Sequence, residues 1–401
     1  MVSAVIVDVL RTPSGRGKPG GALSGIHPTD LLAEVLVELL RRNGLDSRQV
    51  DDVLVGCVSQ VGEQSANVAR NAILAAGFDA TVPAATIDRQ CGSSQQAATF
   101  AAQGVIAGSY DIVIAAGVES MSRVPLGSAT GDAHPGGDRF HARFPDGLVN
   151  QGVSADLIAQ RWKLDRGTLD AFAAESHRRA AEATTTGWFA PDLLALDAPA
   201  ESGSRHIDTH RIDTDETIRA ATTVEGLAGL APAFATPELR ARFPELEWTV
   251  TAGNSSPLTD GASAALIMSE TMAASLGLTP RARFHSFAVV GDDPLMMLTG
   301  PIPATRRILE RSGLAFEQLD AYEVNEAFAS VPLAWAQEFH ADPARLNPRG
   351  GAIALGHALG SSGTRLLGTL VRQLESTGGR FGLQVMCEGG GMANATIIER
   401  L

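Results

Sequence analysis

The chain has 401 residues, 44% of them hydrophobic and 19% charged, with a formal charge of −13. That length exceeds one ordinary core and points to two or three domains or a fused duplication, no run of about 18 apolar residues offers a membrane span, and the negative balance disfavours nucleic acid. Three cysteines, an odd number in a long chain, argue against a disulfide framework and for reduced thiols.

The first predicted element is a strand at Ala4-Val5-Ile6-Val7-Asp8-Val9, reached without the basic and apolar regions of a signal peptide, so the expectation is a cytoplasmic protein. Leu31, Leu32, Val35, Leu36, Leu39 and Leu40 then keep a helical period, with Thr29 or Asp30 as cap and Gly44 as stop. Arg42 to Val55 aligns without a gap on Arg311 to Val324, an offset of 269. The matches are Arg42/Arg311, Gly44/Gly313, Leu45/Leu314, Gln49/Gln318, Asp51/Asp320 and Val55/Val324. Each copy reads as helix, turn and strand, with a second strand later, at Asp111 to Ala116 and at Gly382 to Met386. Strands alternating with helices favour two related α/β halves with covered sheets.

Between the halves the texture changes at about Met121. Gly127 to Gly147 reads as an irregular loop, Ala155 to Thr184 as helical, and the stretch up to Trp248 as an insertion able to shape a ligand site. Arg205, Arg211, Arg219, Arg240 and Arg242 fall in it and could attract phosphates, although such charges are more often a solvated face. His134 and His141 sit in its polar loop, and no spacing among the nine histidines suggests a metal site.

The chemistry concentrates in three motifs. Cys91 opens a small-residue helix in Asp88-Arg89-Gln90-Cys91-Gly92-Ser93-Ser94, where the positive helix end favours a thiolate. His357, framed by glycines in Gly356-His357-Ala358-Leu359-Gly360, can take a thiol proton as a neutral imidazole. Cys387 precedes Glu388-Gly389-Gly390-Gly391, a run whose bare amides can bind an oxyanion. Together they supply a nucleophile, a base and a second proton carrier for acyl transfer. Asn325, in Val324-Asn325-Glu326-Ala327-Phe328, could hold a water or orient His357, or simply form a turn. Cys57, in an apolar strand, reads as packing.

These residues resemble the thiolase family, and the resemblance runs through nearly the whole chain. Its marks are Arg11-Thr12-Pro13, the Cys91 motif, Asp215-Glu216-Thr217-Ile218-Arg219, Thr251-Ala252-Gly253-Asn254-Ser255-Ser256, Gly300-Pro301-Ile302-Pro303-Ala304, Asn325-Glu326-Ala327-Phe328, the His357 loop and the Cys387 glycine run. The resemblance implies an α/β protein of the thiolase fold, with duplicated α/β/α/β/α five-layered halves. They would span 1–120, completed by 249–270, and 271–401, with a loop domain inserted at 121–248. It implies a homodimer or homotetramer acting on CoA and acyl-CoA thioesters, with coenzyme A as co-substrate, no tightly bound cofactor and no metal. It also assigns roles. Cys91 takes the acyl group, His357 activates it, and Cys387 carries a proton to or from the second thioester. One oxyanion site would come from His357 with a water held by Asn325, the other from the amides of Cys91 and Gly389. Ala252 and Ser256 match positions near the pantetheine arm of CoA, and Arg219 one near its nucleotide.

Ala358 departs from the proline usual after the histidine, which loosens φ there. Leu298 replaces a glycine common in acetyl-specific members and is expected beside the pocket. Asn150-Gln151-Gly152-Val153 lacks the His-Met pair of some biosynthetic members. The reading is therefore a degradative 3-ketoacyl-CoA thiolase of fatty acid β-oxidation. The alternatives are a biosynthetic acetoacetyl-CoA thiolase with the same residues and, from another class, a non-catalytic thiolase-like lipid carrier, which should have lost Cys91, His357 or Cys387.

Overall fold

The computed structural model describes residues 2–133, 135–199 and 209–401. His134 and Arg205 therefore lie outside the described residues. The strands in chain order are β1 (Ala4–Arg11), β2 (Gly15–Arg16), β3 (Asp52–Gly56), β4 (Ala84–Ile87), β5 (Ile112–Ser120), β6 (Leu196–Pro199), β7 (Thr209–Ile212), β8 (Thr259–Ser269), β9 (Ala282–Gly291), β10 (Leu319–Val324), β11 (Phe381–Glu388) and β12 (Met392–Arg400). Apart from the β6–β7 ribbon and β2, which pairs with β8, they follow one path, β10-β11-β12-β9-β1-β8-β5-β3-β4.

That path contains the same motif twice. Parallel β3 and β5, then antiparallel β8 and β1, repeat as parallel β10 and β11, then antiparallel β12 and β9. The matched residues of the repeat do matched work. Gly44 and Gly313 end their helices in left-handed conformations, at φ 62° and 70°, where a Cβ would be strained. Gln49 Oε1 accepts from Asp46 N at 2.9 Å and Gln318 Oε1 from Ala315 N at 2.8 Å. Asp51 Oδ2 accepts from two amides where β5 begins, Asp111 N just before it and Ile112 N at its first residue, at 2.6 and 2.9 Å. Asp320 Oδ2 does the same for Arg380 N and Phe381 N before β11, at 2.6 and 3.1 Å. Each aspartate thus fixes where its parallel neighbour begins.

Side-chain alternation builds the layers. On β1, Val5 and Val7 face an outer cluster with the helix Pro28–Asn43, while Ala4 and Ile6 face the middle of the molecule. A register shift between Ile6 and Asp8 then reverses the pattern, so that Leu10 faces out and Val9 in. The helices Ser93–Ile106 and Ser362–Thr377 pack on each other and on strands of both halves. Ala97, Ala98, Ala101 and Ala102 keep the first of them slim enough to be enclosed. The helix Pro301–Ser312 covers the outer face of the second half. The result is the thiolase fold, with its five layers, helix, sheet, paired central helices, sheet, helix, shared by the two halves rather than repeated within each.

Several local expectations need correction. The first helix is capped by His27, whose Nδ1 accepts from Thr29 N at 3.2 Å, because Pro28 occupies the first helical position and moves the cap upstream of Thr29 and Asp30. The 127–147 loop contains a short helix, Asp138–Arg143. The expected helix from Ala155 to Thr184 is two, Gln151–Arg161 and Arg166–Thr185. Lys163 turns to φ 56° between them and Asp165 caps the second. Cys57 lies just past β3 rather than in it. No helix among the described residues is long and apolar enough to cross a membrane.

The Asp215 motif is a clamp. Arg11 donates to Asp215 through Nη1 and Nη2 at 2.6 and 2.8 Å, and Ser14 N adds a third bond at 2.8 Å. Glu216 accepts from Arg16 N and Ala22 N, both at 2.8 Å, so the stretch after β1 is tied to the insertion. Burial raises the Asp215 carboxyl, but the charge and hydrogen bonds of Arg11 outweigh it and hold the group below its usual range. Asp215→Ala would leave Arg11 buried, unpaired and near the like charge of Arg365. The expected loss is about 3–5 kcal/mol in denaturant unfolding. Because the folded pKa is depressed, wild type keeps this contribution above the unfolded carboxylate pKa of about 4 and loses it as pH falls through the folded value. The gap between wild type and variant should therefore narrow in acid.

Candidate active site

Cys91 follows β4 through a tight turn. Gly92 N donates to Arg89 O at 3.1 Å and Ser93 N to Gln90 O at 3.0 Å. The Ser93 hydroxyl closes the turn, donating to Gln90 O at 2.6 Å and accepting from Arg89 N at 2.9 Å. Gln90 adopts φ 48°, a left-handed conformation costly for a residue with a side chain. The helix begins at Ser93 with Gly92 as its cap, so Cys91 stands one residue ahead of the cap rather than opening the helix. A Cβ on Gly92 would lie 2.2 Å from Glu388 Oε1 and 2.8 Å from Asn394 Oδ1, so any larger residue would displace both side chains.

The Cys91 side chain is buried. Burial and the nearby Glu388 push its thiol up to about 12, while the backbone N–H dipoles of Gly389 and of Cys91 itself work the other way. These are the two amides assigned to an oxyanion site. Cys387 comes from the end of β11, paired across the hairpin with Ala393 of β12. Burial, Cys91 and Glu388 hold its thiol far above the usual range. Asn325 leaves the end of β10 beside it, its amide donating to Val385 O at 3.0 Å.

His357 enters from the loop before the second central helix, its backbone N–H held by Thr259 Oγ1 at 2.9 Å. The ring's tautomer follows from its neighbours. Ser362 Oγ donates its one hydrogen to Ala358 O at 2.8 Å, so toward His357 Nδ1, 2.6 Å away, it can only accept. Nδ1 therefore carries the ring hydrogen and Nε2 the lone pair, to which Asn325 Nδ2 donates at 3.3 Å. Burial, with the like charge of Arg365, drives the ring down to about 3, so it is neutral at physiological pH. Ser362→Ala should free the ring and scramble its tautomer. Steady-state kinetics are expected to show kcat reduced on the order of tenfold to a hundredfold with little change in KM.

A cavity of about 710 Å³ opens onto these groups, lined by Cys91, His357, Gly389, Ser256, Phe328 and Met297 among others. Its size is typical of ligand sites. Asn325 reaches it through His357, and Cys387 sits behind Cys91. Leu298 does not line it; that side chain packs in the apolar cluster with Cys387, and Met297 faces the cavity instead. Ala252 and Arg219 are exposed and lie outside the lining. Arg219 is nonetheless fixed through its backbone, whose N–H donates to the buried His177 Nδ1 at 3.1 Å. Arg240 and Arg242 stack on Trp248 and Phe243, and Arg242 also donates to Asp146 O and Gly147 O.

Two groups escaped the sequence reading. Ser362 sets the tautomer. Glu119, at the end of β5, gathers Val58 N, Ser59 N, Gln64 Nε2 and Gly360 N at 2.8 to 3.0 Å. It thereby pins the His357 loop of the second half to the first. A serine five residues after a histidine, or a glutamate at a strand end, carries no signal until the partners are seen.

Family models place the chain in this context. The one described as thiolase, N-terminal domain, matches residues 4–271, and thiolase, C-terminal domain, matches 278–400. Among curated relatives, a steroid 3-ketoacyl-CoA thiolase of Mycobacterium tuberculosis is 43% identical over 410 residues, covering 100% of this chain and 95% of the relative. A 3-ketoacyl-CoA thiolase of Pectobacterium carotovorum is 44% identical over 405 residues and 100% of both chains. The crystal structure of a Bacillus anthracis acetyl-CoA acetyltransferase superposes with a TM-score of 0.88 at 35% identity, over 100% of this chain and 99% of that one. With both family models together spanning nearly its whole length and Cys91 and His357 lining one cavity, the chain belongs to the thiolase family.

Proposed function

We propose that the protein is a 3-ketoacyl-CoA thiolase working in the degradative direction, with Cys91 as the acyl carrier. The observation that supports this most is that Cys91, Gly389 and the His357 imidazole line one cavity, with the amides of Gly389 and Cys91 acting on the Cys91 sulfur against its rise. Cys91 attacks the keto carbon and its proton passes to His357 Nε2. Both resting pKa shifts favour the neutral thiol and imidazole, so the proton leaves as the S–C bond forms rather than beforehand. Negative charge on the keto oxygen falls to the two amides. The C–C bond then breaks to leave Cys91 acylated and the acetyl-CoA enolate free for protonation by Cys387. The earlier proton transfer has turned Nε2 from an acceptor into a donor, so His357 can stabilise the enolate oxygen together with a water on Asn325. Asn325 Oδ1 is buried and receives no hydrogen bond from a protein group among the described residues, which leaves it able to hold that water. The proton on His357 returns to the Cys387 thiolate; free CoA then gives its thiol proton to Nε2 as its sulfur takes the acyl group, and Cys91 leaves with that proton. Reversed, the sequence is a Claisen condensation.

Coenzyme A is thus a co-substrate rather than a bound cofactor. Ser256 would meet its pantetheine arm, with Ala252 further out on the same loop and Arg219 near the nucleotide. Residues 1–120 with 249–270, and 271–401, would be the two halves, and 121–248 the insertion that supplies Leu126, Leu148 and Phe234 to the cavity. The outer edge of β4, last on the sheet path and unpaired among the described residues, suits a homodimer or homotetramer, and a cytoplasmic role in β-oxidation belongs to the same reading. Names of relatives at 43–44% identity favour the degradative direction. Purified protein should be assayed with CoA and short, long and branched 3-ketoacyl-CoAs by loss of enolate absorbance. Turnover well beyond acetoacetyl-CoA is expected. Activity confined to acetoacetyl-CoA would shift the reading to the biosynthetic enzyme, and none at all to a non-catalytic carrier.

A further inference from the structure

Among the described residues Glu388 is the one carboxyl that acts on both the Cys91 and Cys387 sulfurs, and the chemistry above does not use it. It closes β11 directly after Cys387 and is completely buried. No protein group among the described residues donates a hydrogen bond to either of its oxygens. One neighbour has the matching deficiency. Asn394 Nδ2 donates to Gly92 O at 3.1 Å, which fixes the orientation of the amide and leaves Asn394 Oδ1 buried without a donor. Glu388 Oε1 and Asn394 Oδ1 crowd the same face of Gly92, at 2.2 and 2.8 Å from the position a Cβ would take there. Two buried acceptors on one face leave each other unsatisfied unless a proton lies between them.

We propose that Glu388 is a positioning residue acting as a neutral acid, its carboxyl proton shared with Asn394 beneath the Cys91 turn, and that losing this proton sets an alkaline limit on the reactivity of both cysteines. The inference rests on Cys91 and Cys387 being the reacting sulfurs. With the proton in place, the chain Glu388 to Asn394 to Gly92 O steadies the turn that carries Cys91. Without it, a carboxylate faces both thiols and opposes their ionisation, as its place among the causes of both shifts indicates. The groups facing Glu388 are the two thiols, the Arg89 cation, which favours its ionisation, and the Asp88 carboxylate, which opposes it. Burial outweighs Arg89 and lifts the Glu388 carboxyl to about 8. His357 is neutral throughout that range.

The test is the rate at which iodoacetamide alkylates Cys91, followed by mass spectrometry from pH 6 to 10 in wild type and Glu388→Gln. Below a thiol's pKa the thiolate fraction, and hence the rate, rises about tenfold per pH unit. Wild type should flatten between about pH 8 and 9, where the new charge cancels that gain, while Glu388→Gln continues upward and reacts about fivefold faster at pH 9. Parallel profiles in the two proteins overturn the proposal. Should Glu388→Gln not fold, the wild-type profile alone decides against it by climbing without a bend. Neither measurement needs thiolysis, so failure of the proposed activity would be seen separately, in the assay with 3-ketoacyl-CoAs.

Discussion

Cys91→Ser should lower thiolysis by at least about four orders of magnitude while the protein unfolds in denaturant much as wild type does. The expected size follows from removing a nucleophile whose base, oxyanion amides and substrate cavity have no other partner to act through. Serine nearly matches cysteine in volume, and the amides of Gly389 and Cys91 that reach the sulfur can reach a hydroxyl, so the packing of the turn survives. A hydroxyl is the poorer nucleophile because its pKa lies far above that of a thiol, and the same burial that raises the Cys91 thiol acts on it. Rapid-quench trapping of acyl-enzyme should find label on Cys91 in wild type and none on the variant. Wild-type-like turnover by Cys91→Ser would remove the acyl role from this residue.

The second large effect is a split. Cys387→Ala should slow cleavage of the carbon–carbon bond by about a hundredfold or more, while acyl exchange between Cys91 and CoA falls far less. Only cleavage creates a carbanion that needs a proton; exchange passes through thioester chemistry at Cys91 alone. The buried thiol, held well above its usual range, stays protonated at neutral pH and is a competent acid for an enolate. Because the side chain packs against Met297, Leu298, Ala327 and Phe328, the substitution also leaves a small cavity, which a thermal melt would register separately. Equal losses in cleavage and exchange would show that Cys387 serves the site through packing.

Much of the fold was legible because the duplication wrote the same physical solution twice. Gly44 and Gly313 stop helices, and Asp51 and Asp320 each catch two amides at the start of a parallel strand; both tasks are local, so residue type and spacing reveal them. The insertion was harder. Its helices break at Lys163 and Asp165, and no apolar period announces the break, because a left-handed residue with a cap needs only a small change in sequence. The expected cap at Thr29 or Asp30 failed for a related reason, since Pro28 and His27 together satisfy the same free amides by another route.

By itself the sequence determined the family and the two-part organisation, and it singled out the residues proposed as nucleophile, base and second proton carrier, because those residues sit in motifs whose glycines and small side chains have local reasons to be there. Tertiary structure alone decided the state of that chemistry. The tautomer of His357 depends on where Ser362 sends its hydrogen, the His357 loop depends on Glu119 from the other half, and the charge of Glu388 depends on Asn394 across the hairpin and Gly92 above it. Burial and hydrogen-bond direction are properties of groups brought together from distant parts of the chain, and no spacing along it encodes them.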